Sequence, residues 1–415
     1  MYVRILTDFL FFFFSLFVFS STFSIALAQV SLGVSLTLFL LIFILKKENP
    51  FKGSLKKIYI AIGLYVLWMI ISALFSRTPI ESLFTIKEEW LFFAIPIGIY
   101  LLKIESFRNK IFLAFAIGVC IVSVYGIIQH ITGVYWFKKT PPIKAFDFGY
   151  IVKGFFPHRL TFGNFFATAS MFLLGYLVID WKNQNLKKRV FYFGTVILAI
   201  AVTLFSYSYG PILALLVTSI VLGIIVYRKY TIYILILISV IIGLAIFSNH
   251  SLKERISTRI EKESSQTNEA SRLYIWSNAL QMTKEHPIVG VGQGNFYSEF
   301  EKNMPGHRIH VHAHNDFFNI VAVAGIPGFI FFSFMWFIVL SQIYKNMLQN
   351  EQVFPYKKYM LAGFLGGIAF LVTSLTEATF ADEEVRQMLM FVWAFGLFPI
   401  VLLEKKNGNK SILNL

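Results

Sequence analysis

Residues 31–45 read SLGVSLTLFLLIFIL, fifteen residues without one charge, and they close an uncharged run that begins after Asp8. A run of about 20 apolar residues is what an α-helix needs to cross the hydrocarbon core of a bilayer. Similar runs recur along the 415 residues. They lie at roughly 7–25, 28–45, 58–75, 88–103, 111–131, 161–180, 189–206, 209–227, 230–248, 315–344, 359–378 and 387–404. The reading is therefore an all-α polytopic membrane protein with about twelve transmembrane helices. A transmembrane barrel would show short alternating segments instead, and an open chain in lipid must satisfy its backbone hydrogen bonds within helices.

Composition agrees with that class. Hydrophobic residues make up 57% of the chain, 47 residues are Phe, and only 14% are charged. Mean hydropathy is +0.68. A soluble domain has too little interior to hide so much apolar surface. The stretch SIALAQV at 24–30 looks like a signal-peptidase site, but Asp8 interrupts the preceding apolar region and a new span follows at once, so retention is expected. The single cysteine, Cys120, lies within a span and has no partner for an internal disulfide.

The net charge of +15 is unevenly placed. Short loops after the even-numbered spans, with Arg4 and the C-terminal tail, carry 21 of the 37 Lys and Arg. By the positive-inside rule both termini face the cytoplasm. Two long loops, 132–160 and 249–314, then face outward and hold five and eight basic residues. Either these are merely solvated, or they hold an anionic substrate at the outer surface. The loop 132–160 mixes these charges with aromatic residues, which suits sugars, lipid headgroups or simple interfacial anchoring. Nucleic acid is not an expected partner of a chain whose mass lies in the bilayer.

The longer loop has organisation of its own. SLKERISTRIEKES, 251–264, spaces Leu252, Ile256 and Ile260 as an amphipathic helix. A second helix is expected after capping residues Thr267 and Asn268, ending before Pro287 and carrying Arg272, Trp276 and Leu280 on one face. VGVGQGNF follows, read as a glycine turn returning the chain to the membrane; a phosphate-binding P-loop would need a preceding strand and a following Lys-Ser/Thr.

At the loop's end stands HVHAHN, 310–315. His310, His312 and His314 alternate, so in an extended segment they could share a metal, yet no Cys is near and Asp316 should point elsewhere once a helix starts. Alternatively one imidazole acts as a general base on a hydroxyl, with nearby arginines disfavouring its charged form and holding a diphosphate leaving group. Three solvated loop histidines are the bland alternative. The acidic cluster ADEEV, 381–385, reads as a solvated helix cap, and no DxD pair for a divalent metal is present.

His314-Asn315, nine residues, then Gly325-Ile326-Pro327-Gly328 resembles the His-Asn/Ser, nine-residue, Gly-x-x-Gly pattern of the O-antigen ligase family. SRLYIWSNALQMTKEHPIVGVGQGNF, 271–296, is similar to the family's segment ahead of its histidine. The resemblance extends over the chain as one membrane domain, 1–415, with 249–314 as its helical periplasmic loop between spans 9 and 10, and implies a GT-C-like fold. It implies a metal-independent, cofactor-free, inverting transfer in the bacterial inner membrane. The donor would be an undecaprenyl-diphosphate-linked polysaccharide and the acceptor a sugar hydroxyl of lipid A-core. On this match His314 is the base with His312 assisting. Arg159 and Arg272 bind the diphosphate, with Arg308 a rival, while Asn315, Gly325 and Gly328 support the motif. Sister enzymes of the superfamily, a polymerase or a protein O-oligosaccharyltransferase, share the donor. A transporter of anionic lipid-linked sugars is the reading from another class, although internal repeats and mid-span charges are missing.

Overall fold

The computed structural model describes residues 2–47, 51–136, 142–145, 149–229, 233, 271–303, 311–348 and 351–413. The expected ninth span and the amphipathic helix of 251–264 lie outside the described residues, as do Thr267, Asn268, Arg308 and His310.

Helices run in the expected order. They are α1 Tyr2–Ser20, α2 Ile25–Lys46, α3 Lys56–Leu74, short α4 Pro79–Thr85, α5 Ala94–Leu102, α6 Glu105–Thr132, α7 Arg159–Asp180, α8 Leu186–Phe205 and α9 Tyr209–Val226. After the undescribed segment come α10 Arg272–Glu285, α11 Phe296–Asn303, α12 Asp316–Leu348, α13 Lys357–Ser374 and α14 Glu383–Leu413. Nine helices among the described residues are long and apolar enough to cross a membrane. The protein is thus a polytopic all-α membrane protein.

Burial separates centre from rim. In α7 every residue from Thr161 to Leu173 is buried. Such a helix is enclosed all round, by α13, α8, α9 and α14. In α1 only Leu10, Phe14, Phe17, Val18 and Ser20 are buried, a single stripe at helical spacing. Its other faces suit lipid. Small residues let the centre close: a Cβ on Gly363 would lie 2.4 Å from the Gly396 backbone, so α13 and α14 touch nearly main chain to main chain.

Two spans differ from the sequence reading. The fourth, expected over 88–103, is a 3-10 segment Ile86–Phe93 followed by α5. Glu88 and Glu89 lie on that segment, where Glu89 pairs with the buried Arg386 of α14. A charge held this way cannot face lipid, so the backbone departs from a straight spanning helix. The tenth span is broken at Gly325 (φ 69°, ψ −175°), two residues before Pro327.

That break is built by the returning loop. Gly290, Gly292 and Gly294 all have positive φ, as a tight turn requires. The turn lays 287–292 across α12, where Val291 and Gly292 donate to the carbonyls of Ala322 and Val323. Ile326 donates to Pro287, Trp68 Nε1 to Ala324, and Ser72 Oγ to Val289 and Val323. Carbonyls freed by the break are thereby satisfied, which lipid could not do. A Cβ on Gly325 would meet the Ile288 oxygen at 2.1 Å. Gly328, a turn later, faces Trp68 and Ala324 closely enough that a Cβ would clash.

Candidate functional site

The histidine segment is held from three sides. Asn315 caps α12: its side-chain oxygen accepts from the N–H groups of Phe317 and Phe318, at 2.9 and 3.1 Å. Its amide donates to the Leu375 carbonyl. On a second side α10 packs against it, and Trp276 Nε1 donates to the Ala313 carbonyl at 3.0 Å while its ring stacks on Phe318. The expected helix therefore exists, beginning at Arg272 with Ser271 as its cap.

The third side is the turn between α13 and α14, residues 375–382. Span 11 was read to residue 378; the helix ends at Ser374 because its last residues turn to meet the histidines. Glu377 projects from this turn, buried, and its Oε1 lies 2.6 Å from His314 Nδ1. An ionised carboxylate only accepts, so His314 Nδ1 carries a proton, and in the neutral form of the ring the lone pair is then on Nε2. Burial acts to raise the pKa of Glu377, but the hydrogen bond from His314 and the charges of His314, His312 and Arg272 outweigh it and hold it below the ordinary carboxylate value. Its other oxygen, Oε2, is buried and has no hydrogen-bond partner among the described residues.

His314 itself is left-handed (φ 49°), uncommon for a residue with a Cβ. Its N–H donates to His312 Nδ1 at 3.2 Å, a local bond that supports the conformation. His312 thus spends its Nδ1 on shaping the backbone, with its ring edge-on to His314. His312, His314 and Glu377 do form a cluster of metal-ligand types, their ligand atoms within 4.8 Å of one another. Two ligands of one tetrahedral zinc ion stand about 3.3 Å apart given bonds of about 2.0–2.1 Å. The 2.6 Å separation is that of a hydrogen bond, and the pair must part before both could ligate one ion.

The same turn ties in α7. Thr161 donates to Asp382 at 3.0 Å and Asn164 to Thr379 at 3.3 Å, which brings the Arg159 end of α7 to the histidine side. Arg159, exposed, donates to the Tyr207 carbonyl at 3.0 Å. Asp316 turns away from the histidines, as expected, and accepts from the Phe380 N–H. Burial, with the charges of Glu384 and Glu377, raises Asp382 to a pKa of about 7 despite the Thr161 bond. The ADEEV cluster is therefore no solvated cap. Asp382 is partly buried and bonded, Glu383 accepts from Gln29, and nearby Arg386 is enclosed beneath Phe380 and paired with Glu89. These groups lie where helix ends converge, so they exchange water for partners.

Of the residues singled out in the sequence, the structure brings together His312, His314, Asn315 and, through its field on Glu377, Arg272. Arg159 shares that end of the bundle. Gly325 and Gly328 shape the helix below. Glu377 was missed; an ionisable residue at the end of an apolar span was its one signal.

The fold and this pairing define a class: a multi-pass helical membrane protein with a histidine–carboxylate pair at one end of the bundle. Residues 193–333 match the family model described as O-antigen ligase. The match includes Arg272, His312, His314, Asn315, Gly325 and Gly328, but not Arg159 or Glu377. No curated protein matches the sequence.

Proposed function

We propose that the protein is an O-antigen ligase, moving a polysaccharide from undecaprenyl diphosphate to a sugar hydroxyl of lipid A-core on the periplasmic side of the inner membrane. The observation that carries the reading is the 2.6 Å pair between His314 and Glu377, with the charge of Arg272 acting on the same carboxylate.

In this reading the acceptor hydroxyl gives its proton to His314 Nε2 as its oxygen attacks the anomeric carbon of the donor. The bond from that carbon to the diphosphate oxygen breaks, with inversion. Glu377 keeps Nδ1 protonated and stabilises the imidazolium that forms. Arg159 and Arg272 take the charge developing on the diphosphate, with Arg308, outside the described residues, a third candidate. A carbohydrate hydroxyl is a weak nucleophile near neutral pH, and positioned general-base catalysis contributes about 10²–10⁴-fold. His312 serves as support for the backbone at His314. No step needs a metal.

The test is transfer by the full chain in lipid, given an undecaprenyl-diphosphate glycan and a lipid A-core acceptor. His314→Ala should reduce core-linked product by about 10²-fold or more, with no effect of chelator on the parent protein. Full activity in the variant overturns the base assignment, and abolition by chelator overturns the metal-free route. Growth of polymer on the carrier lipid without core-linked product makes the protein a polymerase.

A further inference from the structure

At the end of the bundle opposite His314, four helix ends enclose a cavity of about 620 Å³. Its lining comes from the start of α6, the end of α7, the start of α8 and the start of α13. Three kinds of side chain meet there. Lys110, Lys187, Lys188 and Lys358 are cationic, Asn109 and Gln184 offer amides, and Tyr176, Tyr192 and Tyr359 form an aromatic wall.

The fixed charge beneath this wall does not balance. Lys358 and Asp180 form a mostly buried pair at 2.8 Å. Behind them Arg108 is 6% exposed, and its bonded partners are neutral: the Tyr359 hydroxyl at 3.1 Å and the Leu102 carbonyl at 3.1 Å. It also lies 4.9 Å from the centre of the Tyr359 ring. Among the described residues two enclosed cations thus face one enclosed acid, although buried charges are ordinarily matched. The rim adds three lysines against Glu105. Gln184 donates its amide to Asp180, while its side-chain oxygen is buried with no donor among the described residues. The cavity therefore carries an excess of positive charge, and it offers an acceptor for a hydroxyl beside it.

We propose that this cavity binds a phosphorylated polyol: the phosphate between Lys358 and the rim lysines, and a hydroxyl of the polyol on Gln184. Lysines at a membrane boundary are expected anyway from topology. What topology does not require is the recess, the aromatic wall or the unpaired Gln184 oxygen. Two sources carry this chemistry, the headgroup of an anionic lipid such as phosphatidylglycerol and a free polyol phosphate. The site stands apart from the transfer chemistry, and its test reads binding alone.

The full chain is purified in detergent and its thermal unfolding followed with phosphatidylglycerol, phosphatidylcholine or glycerol phosphate added; lipid retained on the protein is counted by native mass spectrometry. Phosphatidylglycerol should stabilise and be retained where phosphatidylcholine is not. A Lys110→Gln, Lys187→Gln, Lys188→Gln variant should bind it about tenfold more weakly or worse. These lysines are exposed, so the variant keeps its fold, and unchanged melting without lipid checks this. Gln184→Leu should cost binding of phosphatidylglycerol but not of phosphatidic acid, whose headgroup has no hydroxylated polyol. Stabilisation by glycerol phosphate alone assigns the site to a soluble ligand. Equal retention of both lipids with no response to glycerol phosphate, or undiminished binding by the triple variant, overturns the proposal.

Discussion

Two enclosed acids, one at each end of the bundle, have nearly the same surroundings and opposite uses. Glu377 lies 2.6 Å from His314 and Asp180 lies 2.8 Å from Lys358. Both are mostly buried at the meeting of several helices. The difference is the partner. An ammonium donates to its acid and has no lone pair to lend to a reaction, so Asp180–Lys358 is an ion pair suited to shaping a cavity. An imidazole has a second ring nitrogen that can take up a proton, so in the proposed reaction Glu377–His314 is the pair that follows proton transfer. The supports differ accordingly. At the Asp180 end, aromatic rings pack around the charges. At the Glu377 end, backbone is bent and bonded: a left-handed His314, a capping Asn315 and a helix broken at Gly325.

The largest effect expected from breaking this contrast is at Gly325. Gly325→Ala places a methyl group 2.1 Å from a main-chain oxygen that cannot move without the whole 287–292 crossing. We expect a cost of about 4 kcal/mol or more, read as loss of folded protein in detergent and of all transfer. Next comes the acid. Glu377→Gln should lower the transfer rate about 10²-fold while donor affinity holds, since an amide neither fixes the Nδ1–H form nor stabilises the imidazolium. Asp180→Asn, at the other end, should leave the transfer rate unchanged. Equal losses from both would erase the distinction drawn here. Trp276→Phe keeps the stacking on Phe318 but loses the bond to Ala313, a cost of about 1 kcal/mol visible as a lower Tm with a modest fall in activity.

The smallest effect concerns pH. Asp382, raised to about 7, keeps its proton in the folded protein where an unfolded chain has lost it. Its contribution to stability is present below the ordinary value of 3.8 and fades as pH rises through about 7. Glu377 runs the other way: its contribution is present above the ordinary carboxylate value and fades as pH falls through its lowered one. Asp382→Asn should remove the part of thermal stability that declines between pH 4 and 7, measured by melting at fixed ionic strength. A parent protein whose Tm does not fall over that interval, or a variant whose profile is unchanged, contradicts the assignment.

Much of this architecture is legible in the sequence, since a bilayer reduces the fold to countable apolar runs. The helix boundaries mostly follow, and the His-Asn pair and the glycine turn are visible locally. What is not legible depends on contacts across the chain. Glu377 and His314 are 63 residues apart, and nothing in TSLTEATF announces that its glutamate meets an imidazole. Gly325 sits in an unbroken apolar run, so the break appears only once 287–292 is laid against it. Arg386 and Glu89 are 297 residues apart, and only their meeting explains why both can be buried.

The central claim is that His314 and Glu377 work as one unit. A double-mutant cycle on the transfer rate tests it directly, with His314→Ala, Glu377→Gln and the two combined in the full chain. If Glu377 acts only through the imidazole, the double variant transfers no more slowly than His314→Ala alone. Losses that multiply would mean that the two residues act separately, and that the pair is not the base.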